Sequence, residues 1–185
     1  MKRMLAVIIV MLHLTGCSFA QSKMDEALHL RSKLQNSCFA FDVRVTTDYL
    51  DKLYEFSMKC NVDTDGKLAF EVSSPETLKG ISGTVSPQGG KFTFDDKVLL
   101  FEPIADGLVT PVTAPWVVIK ALKGGYIKGC ESYKQGIHIQ LDDSYEDEAL
   151  YLDVWTDSES LPTVAHIYWE GRRILSLEIE NFIFL

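Results

Sequence analysis

A strict two-residue alternation of apolar and polar side chains, starting near residue 39, is the sequence feature that most constrains the fold. Successive side chains of a β-strand point to opposite faces of the sheet, so each alternating run predicts a strand with one apolar face. If the first two runs turn at residues 49–52, Phe41 lies opposite Cys60 and the two apolar sets share a face. The sequence therefore predicts a hairpin. Its apolar side chains are Phe39, Phe41, Val43, Val45, Tyr54, Phe56, Met58 and Cys60.

Further short runs of the same kind continue to residue 182, separated by Gly, Asp, Asn and Pro. Such short, turn-rich connections join antiparallel neighbours, so most of the chain is predicted to form one antiparallel sheet. The additional predicted strands lie at residues 67–74, 80–87, 91–96, 97–103, 135–143, 149–157, 163–171 and 173–182.

The loop between the last two predicted strands follows from their hydrophobic order. Leu175 and Leu177 belong to the apolar set of the final strand. A two-residue turn would set His166 against this set, whereas a three-residue loop of residues 170–172 sets apolar side chains there. The sequence favours the longer loop, with a positive φ at Gly171 and a bulge after it.

Residues 21–36 carry a helical period instead of a strand period. Their apolar members fall on roughly one stripe, which predicts an amphipathic helix that packs on a later part of the chain. The stripe consists of Met24, Ala27, Leu28 and Leu34.

A second helix is predicted within residues 114–128. Pro115 suits a first helical turn, Trp116 and Ile119 follow at helical spacing, and Gly124 with its neighbouring glycine ends the run. An antiparallel sheet with one apolar face must have that face covered. The predicted class is therefore α+β, a curved antiparallel unclosed β-barrel with helices covering the concave face.

The first residues have the layout of an export signal. Lys2 and Arg3 precede an apolar run at residues 4–14, which is shorter than the about 20 residues of a spanning helix. The run ends in "LTGC", which resembles a bacterial lipobox, where cleavage before Cys17 leaves its thiol to carry acyl chains. Cleavage after Ala20, which would release a soluble protein, and a buried N-terminal strand are the alternatives.

Cleavage at the lipobox divides the chain into a signal peptide (residues 1–16), a lipidated tether (17–22) and a single domain (23–185). Removing sixteen residues from 185 leaves 169, a length that normally makes one domain. The loss of two cations changes the formal charge from -8 to -10. This charge excludes nucleic acid and an anionic lipid surface as attractive partners, so contact with a membrane is expected through the acyl chains alone.

The sequence gives little sign of catalysis. It contains no G-x-S-x-G, H-E-x-x-H or phosphate-binding glycine loop, and His29, His138 and His166 are predicted to be solvated surface residues. Residues 61–66 match half of a calcium-binding loop, but a hairpin turn with left-handed Asp65 and Gly66 explains them better. The acidic run at residues 142–148 is interpreted as a solvated loop. No catalytic residue, cofactor or metal is expected.

Three cysteines remain once Cys17 is lipidated. The predicted register puts Cys38 and Cys60 on opposite faces of the sheet, so they should not pair with each other. Cys60 and Cys130 are the candidate disulfide, which leaves Cys38 free or available to a second subunit in a homodimer. The alternative is that all three are reduced.

Several segments taken in order resemble bacterial LolA/LolB-like lipoproteins, and most closely their germination lipoprotein (GerS-type) branch. These segments are the lipobox, the first helix, the "FDVRVTTDY" to "YEFSMKC" hairpin, "SPETLKGISG", the proline-initiated helix and "LPTVAHIYWEGRRILSLEIENF". The resemblance implies an unclosed antiparallel barrel with helices as a lid. In the carrier members of the family the apolar hollow holds acyl chains.

Two functions follow from these observations, both on the extracytoplasmic face of a bacterial cell membrane. In the first, the chain is a noncatalytic scaffold that holds or regulates a partner protein of the cell envelope, as the germination lipoproteins imply. In the second, it is a carrier whose hollow binds a lipid or lipoprotein acyl chain. The sequence cannot separate the two functions, because an apolar face has the same sequence pattern whether side chains or a ligand fill the hollow. The residues expected to line the hollow are Phe39, Phe41, Tyr54, Phe56, Met58, Trp116 and Ile119.

Overall fold

Within the residues that the computed structural model describes (22–49, 52–86, 89–91, 103–145 and 149–185), ten strands form one antiparallel sheet. The strands are β1 (Phe39–Tyr49), β2 (Lys52–Val62), β3 (Leu68–Ser74), β4 (Ser82–Ser86), β5 (Gly89–Lys91), β6 (Tyr126–Tyr133), β7 (Gly136–Asp142), β8 (Tyr151–Thr156), β9 (Pro162–Trp169) and β10 (Arg172–Phe184). Their order across the sheet is β5-β4-β3-β2-β1-β10-β9-β8-β7-β6. Strands β5 and β6 are the two edges, so the curved sheet is unclosed, as predicted.

The first hairpin has the predicted register. Phe41 pairs with Cys60, and Tyr49 pairs with Lys52 at the turn. Of the eight side chains predicted to share the apolar face, seven are buried and Tyr54 is half-buried. The residues that alternate with them are exposed or half-buried. The two-residue period therefore fixed both the pairing and the buried face of this hairpin.

The last hairpin corrects the predicted loop. Trp169 pairs with Arg172, so the connection is a two-residue turn rather than the three-residue loop. Glu170 and Gly171 have φ angles of 49° and 76°, as a type I′ turn requires at both of its central positions. A bulge between Arg173 and Leu175 then shifts the register, so that apolar side chains of the two strands still face each other.

Helix α1 (residues 22–36) packs against the same core as the sheet. Ala27, Leu30 and Leu34 are buried, while Leu28 is 46% exposed. The prediction that Leu28 belongs to the buried stripe is therefore wrong, because Leu30 is buried in its place.

Helix α2 (Ala114–Gly124) follows a short 3-10 turn (Pro111–Thr113) and is buried along most of its length. It ends at Gly124, as predicted, and the Arg31 side chain of α1 binds backbone carbonyl groups at that end of the helix. The Arg31 guanidinium donates to Leu122 O at 2.8 Å and to Gly125 O at 2.7 Å. These hydrogen bonds fix α1 to α2, because the last carbonyls of a helix have no partner within it. Neither helix in the described part of the chain has the length and apolarity that crossing a membrane requires.

The turn between β2 and β3 is a hairpin turn, as predicted for residues 61–66. Asp63 Oδ1 accepts a hydrogen bond from Lys67 N at 2.9 Å, and Gly66 has a φ of 79°. Asp65 does not share that left-handed conformation, which corrects this part of the prediction. The strands predicted at 91–96 and 97–103 lie largely outside the described residues, as do residues 146–148 of the acidic run. The lipobox with Cys17 lies wholly outside them.

Candidate functional site

The residues expected to line an apolar hollow lie mostly inside the packed core. Tyr54 and Trp116 are half-buried, and the other five have almost no accessible surface. The exposed fractions are Phe39 0%, Phe41 3%, Phe56 1%, Met58 0% and Ile119 1%. A side chain that faces a space large enough for water keeps accessible surface, so other side chains already cover these five.

Aromatic packing shows how part of this space is filled. The Phe182 ring from β10 lies 5.2 Å from the Phe39 ring and 5.6 Å from the Phe41 ring, stacked on both. Phe184 meets Phe39 edge-on at 5.9 Å. Offset and edge-on pairs at these distances stabilise a core beyond the area that they bury. The end of the sheet around Phe39 is therefore a filled aromatic cluster.

Trp116 does line an open space, but on the α2 side of the molecule. This groove of about 380 Å³ lies between α2, the end of α1 and the β2–β3 turn. Trp116 Nε1 donates to Gly66 O at 3.2 Å, which holds the indole at the groove wall. We call it the α2 groove, and its lining residues are Gln35, Asp65, Gly66, Trp116, Ile119, Lys120, Lys123 and Gly124.

Two cations border the α2 groove. Lys123 Nζ donates to Thr64 O at 3.1 Å, and burial lowers the pKa of Lys123 from its ordinary value. Lys120 Nζ lies 5.7 Å above the Trp116 ring and 3.1 Å from Asp143 Oδ2. An aromatic wall next to ammonium groups suits a ligand with an apolar part and an anionic end.

The candidate disulfide between Cys60 and Cys130 is absent from the structure. Both residues are free thiols, as is Cys38. Five strands separate β2 from β6 in the sheet, and neighbouring strands lie about 4.8 Å apart, which puts the two cysteines out of bonding range along the sheet. Cys130 Sγ instead donates to Lys23 O of α1 at 3.2 Å.

His138 is the main departure from the predicted surface histidines. It points away from the core, as its place in β7 requires, yet it is only 9% exposed. Its Nε2 lies 2.7 Å from Asp153 Oδ1, and its Nδ1 lies 3.0 Å from Glu131 Oε1. Both ring nitrogens thus face carboxylates of neighbouring strands, and neither is directed at a cavity where a substrate could be deprotonated.

A network of hydrogen bonds surrounds this histidine. Tyr151 OH donates to Asp153 Oδ1 at 2.8 Å, and burial together with this bond raises the pKa of Tyr151 to about 12. His166 is half-buried, and burial, together with the nearby Arg173 charge, lowers its pKa. The prediction of a solvated His166 with an ordinary pKa is therefore wrong, while His29 is exposed as expected.

Aromatic rings complete the cluster on the outward side of β6 to β9. The Trp155 ring stacks on His138 with centroids 4.7 Å apart and planes at 5°, and His166 meets Trp155 edge-on at 4.8 Å. Sequence reasoning missed this cluster, although a signal was present. Outward positions of three consecutive strands carry rings, where a solvated face would carry charges.

Two cavities flank the cluster. One, of about 490 Å³, is bordered by Tyr133, Trp155 and His166, and the other, of about 500 Å³, by Tyr151, Asp153 and Tyr168. Among the described residues no group of three His, Cys, Asp or Glu side chains is placed to hold a metal ion. The chemistry offered on this face is hydrogen bonding and ring stacking.

Comparison with known proteins gives likeness of fold only. No protein-family profile and no curated protein matches the chain. Similar solved structures include an uncharacterized conserved protein from Thermus thermophilus, with a TM-score of 0.46 and 11% identity over 90% of this chain and 87% of that one. A LolA superfamily protein from Nitrosomonas europaea has a TM-score of 0.41 and 13% identity over 89% and 92% of the two chains.

A third similar structure is the MucA/MucB complex of Pseudomonas aeruginosa. Its TM-score is 0.39, with 10% identity over 88% of this chain and 57% of that one. All three TM-scores lie below 0.5, so these likenesses identify no function for this chain.

Proposed function

We propose that this chain is a noncatalytic lipoprotein, anchored through Cys17 to the extracytoplasmic face of a bacterial cell membrane, that acts as a scaffold for a partner protein of the cell envelope. This role resembles that of the germination lipoproteins. In this proposal α1 and α2 lie over the concave face of the sheet as a fixed cover. They do not act as a lid that opens for cargo.

The filled core carries the proposal. A carrier of acyl chains needs an apolar space of several hundred cubic ångströms, since pockets that enclose most of a ligand have about that size. Phe39, Phe41, Phe56 and Met58, which should line such a space, are at most 3% exposed. The core therefore serves as a rigid support, and the surfaces of the sheet and helices remain for contact with a partner.

The fixed contacts between the helices support the same conclusion. Arg31 donates to two carbonyl groups at the end of α2, and Gln35 Nε2 donates to Lys123 O at 2.6 Å. Ser160 Oγ donates to Glu26 Oε1 at 2.8 Å and so fastens α1 to the β8–β9 turn. Opening the cover would break all of these hydrogen bonds together, at a net cost of roughly 1 kcal/mol each.

A carrier role is the second candidate, and the α2 groove is the observation that favours it. Its Trp116 wall and the neighbouring Lys123 ammonium suit a single acyl chain with an anionic end. In that case the ligand would lie beside α2 at the surface and outside the core.

The two candidates differ in what the protein holds when it is purified from its own host. The scaffold predicts that native mass spectrometry finds only the acyl groups attached at Cys17, and that Cys17→Ser protein carries no lipid. A stoichiometric acyl ligand on Cys17→Ser protein would contradict the scaffold proposal. If Trp116→Arg then removed that ligand while Trp169→Arg did not, the α2 groove would be its site.

A partner protein is tested separately by cross-linking in intact cells. The scaffold predicts one protein partner that recurs in independent preparations, and the absence of any recurrent partner would contradict it. The anchor is not needed for this contact, so Cys17→Ser protein should still bind the partner once both are purified.

A further inference from the structure

The outward face of the sheet changes character between its two halves. On β1, β2, β3 and β10 it carries charged side chains, which is the ordinary composition of a solvated face. On β6 to β9 it carries rings, and we call this half the aromatic face. Its rings are Tyr133, His138, Tyr151, Trp155, His166 and Tyr168.

One of the two openings on the aromatic face is walled by three of these rings. Tyr133, Trp155 and His166 border the cavity of about 490 Å³, which lies within the range of small-ligand sites. Tyr133 is 41% exposed, and its ring meets the Trp155 ring edge-on at 6.2 Å. A contiguous group of exposed rings is typical of a binding surface.

The polar lining of this cavity carries no net charge. Lys134 and Asp157 are its one cation and one carboxylate. Lys134 Nζ lies 5.2 Å above the Tyr133 ring, while Asp157 Oδ1 accepts hydrogen bonds from Glu159 N and Leu161 N at 2.8 and 3.0 Å. The single cation is balanced by the single carboxylate, and Asp157 already accepts two backbone hydrogen bonds, which disfavours an ionic ligand.

Neutral polar groups remain for a ligand. Gln135 and Ser158 both line the cavity and are exposed, and within the described residues their side chains make no hydrogen bond. An amide and a hydroxyl can each donate and accept. The cavity therefore offers flat apolar walls together with uncharged donors and acceptors at the rim.

We propose that this cavity binds an uncharged sugar ring of a glycan. A pyranose ring has an apolar face of C–H groups, which stacks on an aromatic ring, and an edge of hydroxyl groups, which pairs with amide and hydroxyl side chains. An acyl chain would leave Gln135 and Ser158 without partners, and a phosphate would find no net positive charge. The site lies on the opposite face of the sheet from the core and is independent of the scaffold proposal.

His138 is the positioning residue of this site. It does not border the cavity, but its ring stacks flat on the Trp155 ring, with centroids 4.7 Å apart. Its two ring nitrogens lie within hydrogen-bond distance of the carboxylates of Asp153 and Glu131, which fixes the imidazole. Trp155 is thereby fixed in one orientation before any ligand arrives. A fixed ring binds more tightly than a mobile one because less conformational entropy is lost on binding.

The test uses the full chain in a detergent without sugar groups and two soluble probes, the β-linked tetramers of N-acetylglucosamine and of glucose. We expect saturable binding of at least one tetramer, with a Kd of about 1 mM or below by calorimetry. The Trp155→Ala variant should weaken binding by about ten-fold or more. The control is Trp116→Phe in the α2 groove, which should bind as the parent does.

A second variant covers the case in which Trp155→Ala does not fold. Gln135→Ala combined with Ser158→Ala changes only exposed side chains, and it should weaken binding by about ten-fold while leaving thermal unfolding unchanged. Failure of both tetramers to bind at about 10 mM would overturn the proposal. So would binding that both variants retain, or cross-linking of the aromatic face to a protein in the absence of any glycan binding.

The positioning role of His138 has its own readout. His138→Ala should weaken tetramer binding and shift the indole N–H resonance of Trp155 in NMR spectra. His138→Phe keeps a ring against Trp155 and should restore most of the affinity. If His138→Phe binds as poorly as His138→Ala, the stacked ring is not what positions Trp155.

Discussion

Thr47 should be a site where removing a hydroxyl stabilises the protein. Thr47 lies on the inward face of β1, between Tyr54 of β2 and Leu175 of β10, and it is 0% exposed. Among the described residues its Oγ1 is the buried side-chain polar atom with no hydrogen-bond partner. A hydroxyl in that position has lost its hydrogen bonds to water without replacing them, which costs roughly 1–3 kcal/mol.

Valine has nearly the shape of threonine, so Thr47→Val removes this cost without opening a cavity. The new methyl group also gains about 0.8 kcal/mol from burial. We expect the free energy of unfolding to rise by about 1–2 kcal/mol, somewhat less than the sum because the unfolded chain is partly compact. In a chain of this length that corresponds to a melting temperature higher by roughly 2–8 °C.

The measurement is urea unfolding of Cys17→Ser protein, followed by circular dichroism. Thr46→Val is the matched control, because Thr46 is the next residue on the same strand and lies half-buried on the outward face. It should change stability by no more than about 0.5 kcal/mol. Thr47→Ser, which keeps the hydroxyl and loses a methyl group, should destabilise. If Thr47→Val is itself less stable than the parent, the hydroxyl has a partner and the reasoning fails.

Four other outcomes are expected. Cells fed a fatty-acid probe should label the protein, and Cys17→Ser should abolish the label; a labelled mutant would exclude the lipobox. Phe41→Asp should lower the free energy of unfolding by roughly 3–5 kcal/mol, because it buries a charge, while Thr46→Asp on the outward face should lower it little. Equal losses of stability in urea unfolding would show that the buried face is wrongly assigned. Gly171→Val should destabilise the protein by more than about 1 kcal/mol, because a β-branched residue does not fit a φ of 76° even at this exposed site. Thermal unfolding that this substitution leaves unchanged would exclude the type I′ turn. The lowered pKa of His166 means that its imidazole takes up a proton at a higher pH in the unfolded chain than in the folded protein. The protein should therefore lose stability as pH falls below about 6.5, and His166→Gln should lose less; identical losses in urea unfolding would place His166 in water.

The aromatic face on β6 to β9 extends beyond the rings around Trp155. Tyr151 and Tyr168, with ring centroids 5.4 Å apart, add a second pair of rings on the same face. Because both faces of β7 to β9 are covered by side chains, this half of the sheet should be the slowest to exchange its amide protons. The charged half around Arg44 and Glu178, whose ion pair is exposed, should exchange faster.

Local pattern determined much of the sheet. Phe41 pairs with Cys60 as predicted because one face of the hairpin is buried, and a shift of one residue would expose every apolar side chain in it. The start of α2 and its end at Gly124 also followed from local chemistry, since proline is favoured in a first helical turn and glycine ends a helix. Cys17 and its lipobox stay a prediction of the sequence.

Tertiary contacts decided the rest. The last hairpin closes in two residues because a bulge before Leu175 restores the apolar pairing. A two-residue turn with this bulge and a three-residue loop place the same side chains opposite Leu175 and Leu177, so the hydrophobic order cannot separate them. His138 was expected in water since its neighbours Ile137 and Ile139 point inward, and it does point outward. Whether an outward side chain meets water, a carboxylate or an indole depends on strands that lie distant in sequence. The alternation of a strand records which face a residue belongs to, and only the assembled sheet decides what covers that face.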